Sequence, residues 1–148
     1  MVKALVLYHS QQYGNTQKMA EAVAEGLRNA SCEVTNFNTN DERFDITNYP
    51  QYDCIAFGTP DYFSYMAGTI KTFMDDWYLK RNESGYQQKP YIVFFTHGGG
   101  GRGRGSLSLF SRIGTQIGKT VESRGTPNSQ VLKECASLGE ELGKAVTR

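Results

Sequence analysis

The scarcities of this 148-residue chain narrow its chemistry before anything else does. It holds three cysteines, two histidines, four prolines and one tryptophan. Cys32, Cys54 and Cys135 are odd in number and form no C-x-x-C pair, which argues against a disulfide framework and a thiolate metal cluster. Cys32 and Cys54 fall in strand-like segments, where a thiol serves as a small buried hydrophobe. His9 and His97 are too far apart in sequence to suggest a metal centre. Neither sign of charge dominates: sixteen basic and fifteen acidic residues leave a formal charge of +1, so nothing marks a nucleic-acid partner. No apolar run approaches the ~18–20 residues of a membrane span. The N-terminal run ends at Tyr8 in a structured turn without a cleavage site, and a cytoplasmic protein is expected. The serines sit in no G-x-S-x-G elbow. Asp75 and Asp76 lack the remote acid that carboxylate catalysis on a sugar needs and are expected on an exposed helical face. The length suits one domain spanning residues 1–148.

The richest stretch is the first thirty residues. An apolar strand, Lys3–Tyr8, feeds the polar loop His9–Thr16, and an amphipathic helix follows with Met19, Ala20, Val23, Ala24 and Leu27 on one stripe. First-turn N–H groups lack intrahelical partners, and the helix dipole favours negative charge there. Ser10 and Thr16 add hydroxyls, and Gly14 lets the backbone come close to a ligand. The loop holds no Lys or Arg, unlike a P-loop, whose lysine reaches the outer phosphates. Hydrogen bonds to a single terminal phosphate fit it better.

Downstream, Cys32–Phe37 reads as a strand and Asn38–Gln51 as a polar connection with at most one helical turn. Cys54–Gly58 reads as a strand buried on both faces. Gly68–Leu79 reads as a helix through Ile70, Phe73, Met74 and Trp77, and Arg81–Lys89 as a hairpin-like linker. Tyr91–Phe95 is the strongest strand signal. Leu107, Phe110, Ile113 and Ile117 predict another helix, Lys119–Ser123 a short strand, and Ser129–Val146 a closing helix. Alternating strands and helices imply right-handed crossovers and a parallel sheet covered on both faces. Ligands of such sheets bind beyond the carboxyl ends of the strands, where strand order reverses.

Unusual loops follow the first, third and fourth strands, as that rule requires. Thr59–Gly68 carries Tyr62, Phe63 and Tyr65 for stacking, while Pro60 stiffens the exit from the strand. The same aromatics are open to a second reading as packing or a partner surface. Thr96-His97-Gly98-Gly99 begins a glycine run that permits close backbone approach. Arg102 and Arg104 within that run are either solvated or engaged with an incoming anion.

Leu5–Leu27, Gly58–Phe63 and Phe95–Gly99 together resemble the flavodoxin-like FMN proteins. They are most similar to short flavodoxins and to the NAD(P)H:quinone oxidoreductases of the tryptophan-repressor-binding-protein type. The resemblance implies a doubly wound α/β fold with a five-stranded parallel sheet in the order 2-1-3-4-5. It also implies FMN at the switch between the first and third strands. Carried over residue by residue, it implies phosphate contacts from Gly14, Asn15, Thr16 and either Ser10 or Gln12, with Tyr13 among the cofactor-binding residues. One extra residue separates Ser10 from Gly14, so either Ser10 or Gln12 makes the first contact. Ring contacts are implied for Thr59, Pro60, Asp61, Tyr62 and Phe63, and for Thr96, His97, Gly98 and Gly99. Asp61 would disfavour added negative charge on the ring. His97 is a hydrogen-bonding residue or a general acid, and His9 lines the rim.

The functions that follow are electron transfer to a redox partner protein or NAD(P)H-dependent reduction of a quinone-like acceptor. A near-neutral charge departs from the acidity of shuttle flavodoxins, while the quinone reductases have a late insertion that this chain lacks. A receiver-type signalling domain shares the fold class. It needs an acidic pair after the first strand and an Asp ending the third, where this chain has His9-Ser10 and Gly58-Thr59.

Overall fold

The computed structural model describes residues 1–147. Five strands run parallel: β1 (Lys3–Tyr8), β2 (Glu33–Asn38), β3 (Cys54–Tyr62), β5 (Tyr91–His97) and β6 (Val121–Arg124). Their spatial order is β2-β1-β3-β5-β6, the expected 2-1-3-4-5. A two-residue strand, β4 (Tyr65–Met66), folds back antiparallel on the end of β3. It was not expected, and it makes Thr59–Met66 a hairpin rather than an open loop.

Alternation divides the sheet residues between two cores. Leu5, Leu7, Ile55, Phe57, Val93 and Phe95 point to one face, under α2 (Gly68–Lys80) and two 3-10 segments, Ile46–Gln51 and Arg102–Arg112. Ala4, Val6, Ala56, Ile92 and Phe94 point to the other, under α1 (Asn15–Asn29) and α3 (Ser129–Val146). Every side chain of β1 from Ala4 to Tyr8 is buried. Burial pushes the Cys54 and Cys135 thiols up to about 12, as suits packing residues rather than nucleophiles.

Boundaries moved where partners, not propensity, decide them. β3 runs past Gly58 to Tyr62 because β5 pairs with it as far as Pro60↔Thr96 and β4 pairs with Asp61 and Tyr62. β1 stops pairing at Tyr8↔Gly58, so Pro60 lies where a missing N–H breaks no ladder bond on that side. β2 begins at Glu33 and ends at Asn38, and β6 is displaced to Val121–Arg124.

The helix expected from Leu107, Phe110, Ile113 and Ile117 is instead a 3-10 segment ending at Arg112. The chain leaves it at Gly114, where a Cβ would lie 2.0 Å from the Lys89 carbonyl oxygen, and then bridges Gln116 to Tyr91. Ile117 consequently packs into the opposite core from Leu107, Phe110 and Ile113. The Arg81–Lys89 segment is no hairpin. Tyr86 anchors it by stacking on Tyr49 at 5.6 Å and accepting the Trp77 Nε1–H at its carbonyl.

α1 and α3 touch backbone to backbone. A Cβ on Gly26 would lie 1.9 Å from the Ala136 carbonyl oxygen, and one on Gly139 would lie 2.3 Å from that of Val23. In an exposed helix Gly→Ala stabilises by up to ~1 kcal/mol. Here the sign reverses: Gly26→Ala should destabilise by at least ~1–3 kcal/mol, the scale of overpacking. Urea unfolding measures this, and a raised midpoint would show that the helices are not so closely seated.

Candidate functional site

The polar loop between β1 and α1 is held open by its own hydrogen bonds. Asn38, at the end of β2, clamps Ser10 from both sides: Ser10 N–H donates to Asn38 Oδ1 at 3.0 Å and Asn38 Nδ2 donates to the Ser10 carbonyl at 2.9 Å. The His9 N–H donates to the Gly58 carbonyl at 3.1 Å. Gly14 caps the helix with φ 70° and ψ 16°, a left-handed conformation that L side chains resist. Beyond its chain neighbours, nothing lies within 4 Å of where its Cβ would stand, so backbone conformation, not crowding, asks for glycine here. In the first turn, the Gln17 amide is taken by Ser10 Oγ at 3.2 Å and that of Lys18 by the Gly14 carbonyl. The Asn15 and Thr16 amides precede any intrahelical acceptor. Having accepted from Gln17, the Ser10 hydroxyl keeps its own proton to donate.

A cleft of about 240 Å³ opens over this turn, lined by three loops and by Gly125 after β6. The first supplies Ser10, Gln12, Tyr13, Gly14, Asn15 and Thr16, the second Pro60, Asp61 and Tyr62, the third Thr96, His97 and Gly98. Twelve of the fifteen residues singled out in the sequence therefore converge on one cavity. Three do not line it. Thr59 is fully buried, its Oγ1 accepting the Ala67 N–H at 2.9 Å and donating to the Pro60 carbonyl at 2.8 Å. Phe63 stands at the hairpin tip with its ring wholly in solvent. Gly99 lies one residue beyond the lining. Both Ser10 and Gln12 reach the cleft, although Ser10 is buried and Gln12 exposed.

The cleft is chemically unfinished. Among the described residues four buried side-chain polar atoms lack partners, and three of them (Asn15 Oδ1, Asp61 Oδ1 and His97 Nδ1) belong to lining residues. Buried polar atoms are rarely left so. Two of the three are pure acceptors, opposite in demand to the donor amides of the helix turn. A ligand with anionic acceptors at one end and hydroxyl or N–H donors beyond them satisfies both, which is the donor pattern of a phosphorylated flavin. The wider groove beside Trp77, about 800 Å³, contains none of these orphans.

Charge around the cleft is mostly spent internally. Asp61 Oδ2 accepts the Gly103 N–H at 2.9 Å. Arg104 forks onto Glu122 with two bonds of 2.7 Å, so it is not the free cation that the sequence left open. The hydrogen bond from Arg104, with its charge and that of His97, holds the Glu122 carboxyl below its usual range despite partial burial. His97 Nε2 faces the same carboxylate at 3.6 Å. Burial raises the Tyr62 phenol, whose ring meets His9 edge-on at 5.5 Å. His9 itself is bound at both ring nitrogens, to Thr69 and Gln11 at 2.6 Å each. Asp75 and Asp76 pair with Lys71 and Arg43 and remain outside the site.

Sequence reasoning missed Gln11, Asn38 and Gly125. Gln11 carries no signal that separates it from its polar neighbours in the loop. Asn38 acts across 28 residues, with no local signal. Gly125, in the Gly-Thr-Pro turn after β6, donates its N–H to the His97 carbonyl at 2.8 Å and closes the third side of the cleft; the turn signal was readable.

A family model for flavodoxin matches residues 6–143. The chain belongs to the flavodoxin family. Solved structures agree in fold at low identity. An archaeal flavodoxin superposes with a TM-score of 0.82 at 23% identity, covering 99% of this chain and 100% of that one. A WrbA-like flavodoxin from Agrobacterium tumefaciens gives 0.79 at 22%, covering 98% and 97%. Oxidised flavodoxin 1 from Bacillus cereus gives 0.80 at 19%, covering 98% and 99%. As a flavodoxin, the chain is an FMN-binding redox protein, and no helix among the described residues is long and apolar enough to cross a membrane.

The depressed Glu122 carboxyl has a stability consequence with a definite sign. A carboxylate whose folded pKa lies below its unfolded value stabilises the fold above the unfolded value, ordinarily 4.5, and loses that contribution as pH falls through the folded one. Glu122→Gln should therefore flatten the acid limb of the stability profile below pH 4.5 while leaving its shape near neutrality unchanged. Denaturant titrations across that range decide it; an unaltered acid limb would mean that the pair is not formed in solution.

Proposed function

We propose that this chain is a cytoplasmic electron shuttle, carrying electrons on FMN to and from protein partners and binding no nucleic acid. The observation that carries the reading is the pairing of a donor-rich helix turn with orphaned acceptors in one cleft. Bound FMN supplies the redox chemistry, accepting and releasing electrons singly or in pairs.

The protein's part is binding and electrostatics. The Asn15 and Thr16 amides and the Ser10 hydroxyl would hold the phosphate, with the positive end of α1 in place of a side-chain cation. Asn15 Oδ1 and Asp61 Oδ1 would accept from the cofactor's hydroxyl and N–H donors. Pro60 and Tyr62 offer the ring one wall, and the Thr96–Gly98 backbone offers another. The Asp61 charge, partly shielded by the Gly103 N–H, opposes added negative charge on the ring and tends to lower its potential.

A second reading, NAD(P)H-dependent quinone reduction, draws support from the likeness to a WrbA-like chain of nearly equal length. The internal use of Arg104 weakens it, because only Arg102 of the two loop arginines is left for a nucleotide phosphate. Steady-state NAD(P)H oxidation by the FMN-loaded protein, with and without a quinone, separates the two. The shuttle reading expects turnover no greater than free FMN gives, and sustained quinone-dependent turnover would replace it with the second.

The phosphate assignment makes a selective demand. Ser10→Ala should weaken FMN binding by about 1.5–3 kcal/mol, the scale of a hydrogen bond to a charged group, and leave riboflavin affinity nearly unchanged. Flavin fluorescence quenching with both ligands tests this, and equal losses would remove Ser10 from the phosphate site.

A further inference from the structure

The hairpin at the cleft's edge is built against its own backbone preferences. Its two central residues, Phe63 and Ser64, have φ of 55° and 61°. A two-residue hairpin of this kind is ordinarily made from Asn and Gly, and a bulky side chain in the left-handed region is uncommon. Pairing of Asp61 with Met66 and of Tyr62 with Tyr65 imposes the turn. Burial of Met66 and the bond from the Gly103 N–H to Asp61 brace it. The strain yields no core contact: the Phe63 ring is 104% exposed. Such strain persists only where the surroundings dictate it and is concentrated at functional segments. Tyr65 and, on the facing loop, Tyr13 are exposed at 40% and 74%. Three of the six exposed large hydrophobic residues of the described chain thus stand around one cleft.

Charge on that rim is divided. On the β5–β6 side, Arg102 and Arg124 are exposed and, among the described residues, form no ion pair. The Arg124 guanidinium lies alongside Gly99. The acids nearby are engaged, Glu122 with Arg104 and Asp61 with the Gly103 N–H. In the turn after β2, Asp41 and Glu42 are exposed, Arg43 being taken by Asp76.

We propose that Phe63, Tyr13, Arg102 and Arg124 form a docking face for an acidic redox protein. Its carboxylates would meet the arginines and an apolar patch would meet the two rings. The proposal rests on the electron-shuttle reading. Aromatic residues and arginine are the types that dominate binding energy at protein interfaces, and opposed charge raises the rate of encounter.

The test uses the full chain loaded with FMN, photoreduced and mixed with either of two one-electron acceptors, an acidic b-type or a basic c-type cytochrome. In each productive encounter one electron leaves the flavin and converts ferric to ferrous haem. The rate to the acidic acceptor is expected to fall as salt is raised, since steering is screened beyond ~8–10 Å at ordinary ionic strength. R102E/R124E should slow it roughly tenfold or more at low salt, within the range of electrostatic steering, and should speed transfer to the basic acceptor. Phe63→Gly should relax the turn, leave the fold at least as stable, and still slow transfer to the acidic acceptor at every salt concentration. With flavin absorbance intact, rates unmoved by salt and by both variants overturn the docking face alone. A preference for the basic acceptor that survives charge reversal overturns it as well. Failure of the chain to take up FMN overturns the shuttle reading and the docking face together.

Discussion

β1 is hydrogen-bonded on both sides, to β2 and to β3, and the chain can reach those two neighbours only by leaving over opposite faces of the sheet. That constraint makes the site. α1 must descend on one face and the chain must return on the other, so the loops after β1 and β3 part at the carboxyl edge. The gap exposes the first turn of α1 with its unpaired amides. Burial of β1 on both faces keeps the gap fixed, since a one-residue slip would carry Leu5 and Leu7 into the wrong core.

What the sequence made legible was whatever is written locally. The strand–loop–helix of residues 3–29 was readable because apolar periodicity changes from strand to helix across a hydroxyl-rich turn. The order of the sheet was inherited from the flavodoxin likeness, and β1, α2 and α3 came out within a residue or so of their expected limits. The loops after central strands were legible by position, and their twelve lining residues through the flavodoxin likeness.

The rest depends on contacts between distant segments. The hairpin after β3 was hidden because Phe63 and Ser64 are poor turn residues; only pairing in the folded sheet holds them there. The 3-10 segment differs from the expected helix because Leu107, Phe110 and Ile113 repeat at intervals that suit either form, and beyond it the Ile113 and Thr115 carbonyls are taken by the Lys89 and Tyr91 N–H groups. Arg104 could not be assigned before β6 brought Glu122 beside it. That pairing changes the meaning of the basic loop, which reads as two equivalent arginines in sequence and holds one neutralised and one that, among the described residues, forms no ion pair.

The close seating of α1 on α3 reaches further than its contribution to stability. Where two helices meet through backbone atoms, with Gly26 and Gly139 as the points of contact, no side chain stands at those points to absorb a shift. α1 can then neither slide nor roll without carrying α3 along, and the amides at its N-terminus inherit that rigidity. The C-terminal helix contributes no residue to the cleft, yet it acts as the abutment against which the phosphate-facing turn is registered.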